Sequence, residues 1–381
     1  MIYVLTTSLI VFAAVRILYS RSEELYRINQ DIYNMGNIEE MRKIQFTGKS
    51  SYIVSLPKQW VADMGLKQGD QVAVMRQGIS TLQIVPLKHH NKPVNTEDAT
   101  IEIKQDDEDA IIVRKLISLY LLGFNIINVK PKLGRLKPSQ RNAVKEAVKG
   151  ILMGTEIIAD STEGITIQVL INLFELSVDG ALKRMLIIAK SMQNDALLAL
   201  GEANFDLAKE VINSDDEVDR FSFYIIRQLK IAIQNEHMLK EMGIENPDHC
   251  LGYRLIVKNI ERVGDHATEL AKDLLEFKKP IKKIALEPIQ EMNVFALGVL
   301  SDACLSLFKK DFHEAELTVE KSSDITKYER RIFDSIKSLR DDEEIYRVRR
   351  INENIRRIAE YASDIAEIVM NMTIEKTLRK Q

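Results

Sequence analysis

Residues 260–267, Ile-Glu-Arg-Val-Gly-Asp-His-Ala, align with residues 355–362, Ile-Arg-Arg-Ile-Ala-Glu-Tyr-Ala, 95 positions further along the chain. A second pair of segments aligns at an offset of 107, because Asp-Ala-Leu-Leu at 195–198 corresponds to Asp-Ala-Cys-Leu at 302–305. Residues 176–377 keep the apolar spacing of helices throughout, without a strand pattern. The repetition predicts one helical unit that is present twice.

We call the two predicted units copy 1 (residues 176–280) and copy 2 (residues 281–377). Each is expected to be a bundle of three long antiparallel helices. The twelve-residue difference between the two offsets falls at the turn 243–247, which copy 2 lacks. The predicted helices span residues 176–203, 206–241 and 249–278 in copy 1, and residues 288–310, 313–340 and 343–377 in copy 2.

The composition is that of a soluble protein with two or three domains. Of the 381 residues, 45% are hydrophobic and 29% are charged, as in ordinary globular chains. Lys and Arg number 53 against 56 Asp and Glu, and this net charge of -3 excludes a polycation that coats nucleic acid. Cys250 and Cys304 lie far apart, which excludes disulfide scaffolds, zinc ribbons and thiol redox motifs.

The first forty residues form an apolar extension. Residues 2–15 are apolar apart from Thr6, Thr7 and Ser8, but this run is shorter than the ~20 residues of a membrane-spanning helix. Either translation begins at Met41, or the segment is a short membrane anchor whose Arg16 and Arg21 keep the following chain in the cytoplasm. Both alternatives make everything after Met41 cytoplasmic.

Residues 41–88 predict a small domain of four short strands. A unit of about 45 residues buries too little apolar surface to be stable by itself. We therefore expect it to pair with its copy in a second chain. The strands are expected at residues 42–46, 52–56, 71–75 and 81–85, with a helical turn that Pro57 opens.

The same domain concentrates positive charge. Seven basic residues accompany two acidic ones, which gives a net charge of +5 per chain inside a negative protein. Such a concentration is typical of a surface that binds the phosphate backbone of DNA. The alternative is that the hairpins only hold two chains together and that their lysines are simply solvated. The residues expected to contact DNA are Arg42, Lys43, Lys49, Lys58 and Arg76.

The motifs of this domain point to a family. Leu-Pro-Lys at 56–58 is followed by Gly-Leu-Lys-Gln-Gly-Asp at 65–70. This combination resembles the AbrB/SpoVT family of swapped-hairpin, dimeric DNA-binding domains. The resemblance implies interleaved hairpins from two chains that form one small barrel, and therefore a homodimer.

Residues 89–175 predict a small α/β domain that serves as a spacer or regulatory domain. His89 and His90 lie in its linker, and we interpret them as solvated rather than as metal ligands. The sequence of this region contains no phosphate-binding loop and no acid–base pair of an enzyme. Strands are expected at residues 100–103, 125–129, 156–159 and 166–171, and helices at 109–122, closed by Gly123, and from a Ser139 cap to Leu152.

Two acidic pairs in copy 1 have the spacing of one helix face. Asp215 and Asp219 lie four residues apart, as do Glu261 and Asp265. Like charges at that spacing destabilise a helix unless a cation neutralises them. If the second and third helices pack side by side, the four carboxylates converge, and oxygen ligands suit Mg, Mn or Fe.

Alternatives stay open for this acidic face. The acids are either cation ligands or a solvated helix face, with Asp265 paired to Arg262 or Lys258. His266 either adds a nitrogen ligand or is a surface histidine. In copy 2 one carboxylate of the four remains, which argues against a second metal cluster. The equivalent positions there are Ser322, Thr326, Arg356 and Glu360.

The helical half also resembles a known family. Ser-Asp-Asp-Glu-Val-Asp at 214–219 and Glu-Arg-Val-Gly-Asp-His-Ala at 261–267 resemble the acidic motifs of PhoU, the regulator family of phosphate uptake. The resemblance covers residues 176–377 and implies an iron or zinc cluster at the four acids of copy 1. It also implies partners in the phosphate ABC transporter or its signalling machinery. A PhoU-like half behind an AbrB-like domain resembles an architecture common in archaea.

Together these features predict a multidomain α+β protein. It consists of a swapped-hairpin β-barrel half, a small α/β middle domain and an all-α pair of three-helix bundles. Its predicted function is regulation of phosphate uptake combined with dimeric DNA binding, without enzymatic activity. The main alternative is a cytosolic adaptor that regulates a phosphate transporter by contact, with hairpins that serve dimerisation alone. A metal-dependent hydrolase is disfavoured, because the sequence lacks a phosphate cradle and a nucleophile motif.

Overall fold

The structure, a computed structural model, describes residues 42–47, 51–77, 81–86, 98–171, 176–233 and 236–378. The predicted apolar extension of residues 1–40 lies outside the described residues, as do Lys49 and the two linker histidines. The chain divides into two compact units, residues 1–91 and residues 92–381, and each is described by itself. The finer domain boundaries stay predictions.

The first unit contains two antiparallel hairpins. β1 (Gln45–Thr47) pairs with β2 (Ser51–Ile53), and β3 (Val72–Gln77) pairs with β4 (Thr81–Pro86). The short helix α1 (Lys58–Asp63) lies between the hairpins and follows a proline, as the sequence predicts. The described residues of this chain form two separate two-stranded sheets here and no closed barrel.

The hairpins leave apolar side chains uncovered. Phe46, Tyr52, Val74 and Leu82 are each at least 59% exposed, and α1 contains no buried residue. An isolated two-stranded hairpin is marginally stable at best in water. The unit therefore needs a further apolar surface to pack against, as its small size predicts.

The second unit opens with a four-stranded mixed sheet. In space the strands follow the order β5-β6-β8-β7. β5 and β6 are parallel, and the other neighbouring pairs are antiparallel. This confirms the predicted α/β middle domain. The strands are β5 (Asp98–Ile103), β6 (Ile126–Pro131), β7 (Thr155–Ser161) and β8 (Gly164–Val169).

Two helices, α2 (Asp109–Leu122) and α3 (Pro138–Gly150), pack on this sheet. α2 ends as predicted at Gly123, whose φ of 97° is the left-handed conformation that glycine adopts without strain. The predicted cap of α3 is wrong. Lys137 is the N-cap residue, and Ser139 lies inside the helix. The reason is Pro138, which fits the first helical position because no N–H is needed there.

The helical half contains both copies. One hydrophobic core of buried side chains runs through them, which confirms the predicted pair of bundles. Copy 1 consists of α4 (Val178–Glu202), α5 (Phe205–Ile233), the short α6 (Glu236–Glu241) and α7 (His249–Phe277). Copy 2 consists of α8 (Lys283–Lys309), α9 (Phe312–Ser322), α10 (Ile325–Ile336) and α11 (Asp342–Leu378).

The second helix of copy 2 is broken, although the sequence predicted one continuous helix over 313–340. α9 ends at Ser322, and α10 begins at Ile325. The hydroxyls of Ser322 and Ser323 donate to carbonyls of the preceding turn, at 2.7 and 2.8 Å. Such bonds compete with the hydrogen bonds of the helix, and two in succession accompany the break.

Among the described residues, one helix is long and apolar enough to cross a membrane. This helix is α8, and 56% of its most apolar window is buried among the other helices. The core helix of a bundle has the same composition. Length and composition alone are therefore a weak indication of a membrane span.

A buried arginine joins the middle domain to copy 1. Arg227 on α5 is 1% exposed. Its guanidinium donates to the carbonyls of Tyr120, Gly123 and Phe124 at 2.6 to 3.1 Å, and to the side chain of Asn125 at 2.7 Å. These acceptors lie at the C-terminal end of α2, where unpaired carbonyls carry partial negative charge. The C-terminal end of α2 thus supplies the negative charge that a carboxylate counter-ion would otherwise provide.

A buried ion pair joins the two copies. Arg347 on α11 donates to Asp273 on α7 at 2.9 Å, and both side chains are 2% exposed. The Arg347 guanidinium also lies over the ring of Phe277, 5.0 Å from its centroid. Removal of Asp273 leaves Arg347 as an uncompensated buried charge, and removal of Arg347 leaves Asp273 only the longer contact to Arg350 at 3.7 Å. The pair therefore keeps α7 and α11 in one alignment.

We expect Arg227→Met to destabilise the protein strongly, because it leaves the carbonyls at the end of α2 without donors. The free energy of unfolding should fall by about 3 kcal/mol. Chemical denaturation followed by far-UV circular dichroism measures this loss. Arg254→Met is the matched control, because Arg254 lies on the exposed face of α7. Equal midpoints for the two variants would contradict the role given to Arg227.

Candidate cation site and nucleic-acid interface

The four acidic residues of copy 1 lie on two helices that pack against each other. Asp215 and Asp219 lie on α5, and Glu261 and Asp265 lie on α7. Gly264 brings the helices close, since a Cβ built at this glycine would lie 3.3 Å from the Asp215 Oδ1. The absence of a side chain at position 264 lets the acid of α5 approach the backbone of α7.

The carboxylates of this face repel one another. Burial raises the pKa of Asp215 to about 6, and the nearby negative charges of Asp265 and Asp216 add to the rise. Burial also raises the pKa of Asp219 to about 7, and the negative charge of Glu261 is the second cause of this rise. Neither aspartate makes a hydrogen bond or an ion pair with a described residue. Asp215 and Asp219 are therefore half-buried, weakly compensated carboxyl groups on the side of α5 that packs against α7.

The other two acids have different surroundings. Glu261 forms an ion pair with Lys258 at 2.7 Å. Asp265 is exposed, and the structure does not pair it with Lys258 or with Arg262, whose guanidinium donates to the Asn259 side chain at 3.2 Å. The solvated-face alternative thus describes Asp265 better than it describes the two aspartates of α5.

His266 of copy 1 forms hydrogen bonds to copy 2. Its two ring nitrogens lie 2.7 Å from the Asn354 Oδ1 and 3.0 Å from the Tyr361 hydroxyl, and both partners are on α11. With both nitrogens engaged, His266 has none left for a metal ion in this arrangement. It is also half-buried rather than a surface histidine.

The donor chemistry of this face suits a hard cation, but the side chains do not yet surround one. Within the described ranges, no three His, Cys, Asp or Glu side chains come close enough together to hold one metal ion. A cation would have to draw Asp215, Asp219 and Glu261 together by changes of side-chain rotamer. The metal-ligand prediction for these residues and Asp265 stays a prediction.

The structure describes part of the predicted DNA-binding set. Arg42 and Lys43 lie in the exposed segment that leads into β1, and Lys58 is exposed in the first turn of α1. Arg76 lies on β3, but its side chain is outside the described part, as is all of Lys49. The DNA-contact prediction for these five residues stays untested by the geometry.

Sequence reasoning missed the buried arginines. Arg227 and Arg347 carry no motif, and the sequence analysis singled out neither of them. The one available signal was Arg227, which lies among apolar residues on a helix face with Tyr224 and Ile231, both buried. Neither partner set is adjacent in sequence, so no spacing rule could have identified it.

Comparison with known families finds similarity at both ends of the chain. Residues 182–274 and 289–369 match the PhoU domain, and residues 45–90 match the MazE family, described as antidote-toxin recognition, bacterial antitoxin. The two PhoU segments begin 107 residues apart and end 95 residues apart. These are the offsets that the internal alignment gives, so the predicted duplication is confirmed.

Individual proteins show the same similarity. The phosphate-specific transport system accessory protein PhoU homolog of Borreliella burgdorferi is 29% identical over 125 residues, which are 31% of this chain and 54% of that protein. The chain therefore spans about half the length of this curated relative. The crystal structure of PhoU from Pseudomonas aeruginosa aligns with 52% of this chain and 96% of its own, at 19% identity and a TM-score of 0.42. The crystal structure of the phosphate transport system regulatory protein PhoU from Streptococcus pneumoniae aligns with 52% of this chain and 94% of its own, at the same identity and TM-score.

We expect Asp219→Asn to stabilise the metal-free protein, prepared with a chelator, at pH 7.5 and to have no such effect near pH 4. The pKa of Asp219 is about 7 in the folded chain and about 3.9 in an unfolded one. The folded state therefore binds the proton more tightly, and this carboxylate costs stability progressively as the pH rises from about 4 to about 7. The gain at pH 7.5 should be on the order of 1 kcal/mol, since the half-exposed carboxylate is screened by solvent.

Thermal unfolding at the two pH values measures this difference. The matched control is Glu217→Gln, an exposed acid of the same helix, which should leave the pH dependence unchanged. The same shift in both variants would show that general surface charge, rather than the acidic face, sets the pH dependence.

Proposed function

We propose that this chain, whose helical half is a PhoU domain, is a cytoplasmic regulator of phosphate transport that also binds DNA as a dimer. The observation that carries the first part is the match of the PhoU domain to both copies. The relative from Borreliella burgdorferi bears the description of a phosphate-specific transport accessory protein. We infer that this chain acts by contact with such a transport system or its signalling components, and not as an enzyme.

Dimerisation is supported by the uncovered apolar surface of the first unit. Phe46, Tyr52, Val74 and Leu82 lie on two separate hairpins that bury little between them. A second copy of the same hairpins would cover these side chains from both sides. The match to the MazE family over residues 45–90 supports a paired unit of this kind.

DNA binding is supported by charge. The net charge of +5 over residues 41–88 contrasts with the negative total of the chain, and a dimer doubles it on a small surface. Arg42, Lys43 and Lys58 are exposed in the described part of the unit. Lysine and arginine side chains placed in this way bind phosphate groups of either strand without reading the sequence.

A contact-only adaptor is the second candidate. It is favoured by the description of the MazE family as a toxin-recognition domain, and by the exposed apolar area of the hairpins. In this case the hairpins would serve dimerisation or protein contact, and their lysines would be solvated.

We also propose that the acidic face of copy 1 binds a metal ion such as Fe, Zn, Mn or Mg. Asp215, Asp219, Glu261 and Asp265 would hold it. The ion would neutralise carboxylates whose charges now repel across α5 and α7, and would thus fasten the two helices together. The raised pKa values of Asp215 and Asp219 support this proposal, because burial and, after it, the neighbouring carboxylates disfavour the charged form that a bound cation would stabilise.

For DNA binding, we expect Lys49→Glu with Lys58→Glu to weaken affinity by at least about tenfold, because each reversal replaces an attraction to phosphate by a repulsion. Gel retardation of duplex DNA by the full chain over a series of salt concentrations measures it. Wild-type affinity should fall steeply with salt. The control is Lys278→Glu with Lys309→Glu, two exposed lysines of the helical half.

Absence of DNA retardation at low ionic strength would sink the DNA part of the proposal and favour the adaptor. Size-exclusion chromatography of both double variants shows whether they remain dimers. A dimer that does not bind DNA is the outcome that the adaptor predicts.

For the metal, we expect about one ion per chain in purified protein and only traces in the Asp215→Asn/Asp265→Asn variant, because each substitution removes a carboxylate ligand. Inductively coupled plasma mass spectrometry measures the content. Asp206→Asn with Glu210→Gln, on exposed positions of the same α5, is the control. Equal metal content in the acidic-face variant and the control would defeat the proposed site.

A further inference from the structure

We propose that Arg356 is a built-in cation of copy 2, whose guanidinium connects carboxylates of α10 and α11 at the position where copy 1 has its acidic face. Copy 2 therefore takes no metal ion, and any cation response of this protein comes from copy 1. This inference rests on the proposed function in one respect, since it states which copy the proposed cation occupies.

The equivalence of positions follows from the two offsets. The offset of 95 places Arg356 at the position of Glu261 and Glu360 at that of Asp265. The offset of 107 places Ser322 at the position of Asp215. In the same way Thr326 takes the position of Asp219. Copy 2 thus loses three carboxylates and gains a positive charge in place of one of them.

The contacts of Arg356 are those of a cation among carboxylates. Its Nη2 lies 2.7 Å from the Glu353 Oε1, and its Nη1 is paired with Glu360. Its Nε lies 3.8 Å from the Glu329 Oε1 on α10. Arg356 therefore contacts acids on both helices, as a metal ion between them would.

Two of the three acids around Arg356 have no acidic counterpart in copy 1. Glu329 corresponds by the offset of 107 to Ser222, which is buried in copy 1, and Glu353 corresponds by the offset of 95 to Lys258. Copy 1 has an ion pair from Lys258 to Glu261 at 2.7 Å. Copy 2 has an ion pair at the equivalent two positions, but there the acid, Glu353, comes first and the base, Arg356, follows three residues later. The arginine and its partners therefore form a substituted set rather than a chance replacement.

The acids that Arg356 contacts are compensated, unlike the two aspartates of α5 in copy 1. Arg356 pairs with Glu353 at 2.7 Å and lowers the pKa of that carboxyl, whereas the two aspartates of α5 form no ion pair with a described residue. Arg262 and Asp364 also line the groove beside Arg356. Arg357 lines the same groove, so three guanidinium groups accompany its carboxylates and oppose the binding of a metal ion.

The test uses as its parent protein the full-length chain with Asp215→Asn and Asp219→Asn. These substitutions remove the α5 carboxylates of the proposed site in copy 1, so that an effect of metal on stability can arise only in copy 2. Arg356→Gln in this parent should lower the thermal midpoint by about 2–4 °C. Millimolar MnCl₂ should restore much of this loss, compared with NaCl of equal ionic strength, because Glu329, Glu353 and Glu360 would then accept the ion. The parent should not respond to MnCl₂.

Two matched variants keep the test sharp. Arg357→Gln removes a guanidinium that pairs with Glu353 and Glu360 within α11, so it should cost less and show no MnCl₂ response. Arg356→Lys should keep the parent midpoint and stay insensitive to MnCl₂, and it replaces Arg356→Gln as the informative variant if the latter fails to fold.

The outcomes separate this inference from the proposed cation site. An equal MnCl₂ response in the parent and in Arg356→Gln, or none in either, overturns the inference. So does destabilisation of Arg356→Lys equal to that of Arg356→Gln. If the wild type binds no Mn²⁺ while Arg356→Gln is rescued by it, the inference stands and the cation site of copy 1 fails.

Discussion

The packing of α7 against α11 is the contact on which the helical half depends. His266 and Tyr361 occupy equivalent positions in the two copies and contact each other at 3.0 Å, so this contact lies at the centre of the internal duplication. The buried pair of Asp273 and Arg347 fixes the same two helices further along. Because buried charges are costly unless paired, the two copies cannot slide past each other without separation of this pair. Residues 261 and 265 of α7 and residues 356 and 360 of α11 are therefore held at fixed distances from the contact between these two helices.

Charge is distributed unevenly around that joint. In copy 1 the acids of α5 face other acids, and Gly264 lets Asp215 come close to the backbone of α7. In copy 2 the equivalent surface is closed by Arg356 and its carboxylate partners. The two copies thus share one fold but differ in charge, because the acids of α5 in copy 1 lack basic partners and the acids around Arg356 in copy 2 have one. The middle domain is attached through Arg227, whose guanidinium stays protonated at neutral pH although burial lowers its pKa to about 10.

Local sequence patterns predicted most of the secondary structure. The helix over 109–122 and its stop at Gly123 were predicted correctly, because apolar spacing and a left-handed glycine are local signals. The break after Ser322 was missed, since hydroxyl-to-carbonyl bonds become visible only once the chain is helical. Sequence also predicted the acidic face, because residues four apart share a helix face. Whether the acids of two helices meet depended on packing.

The sequence by itself determined the duplication and the division of the chain, because both are recorded in residue offsets and in composition. It also determined which residue types are available at each motif position. Only the tertiary structure decided which charges are compensated, since Arg227, Asp273 and Arg356 find partners on other helices or on the end of one. The physical reason is that hydrophobic periodicity acts over a few residues, whereas the free energy of a charge depends on every group that folding brings near it.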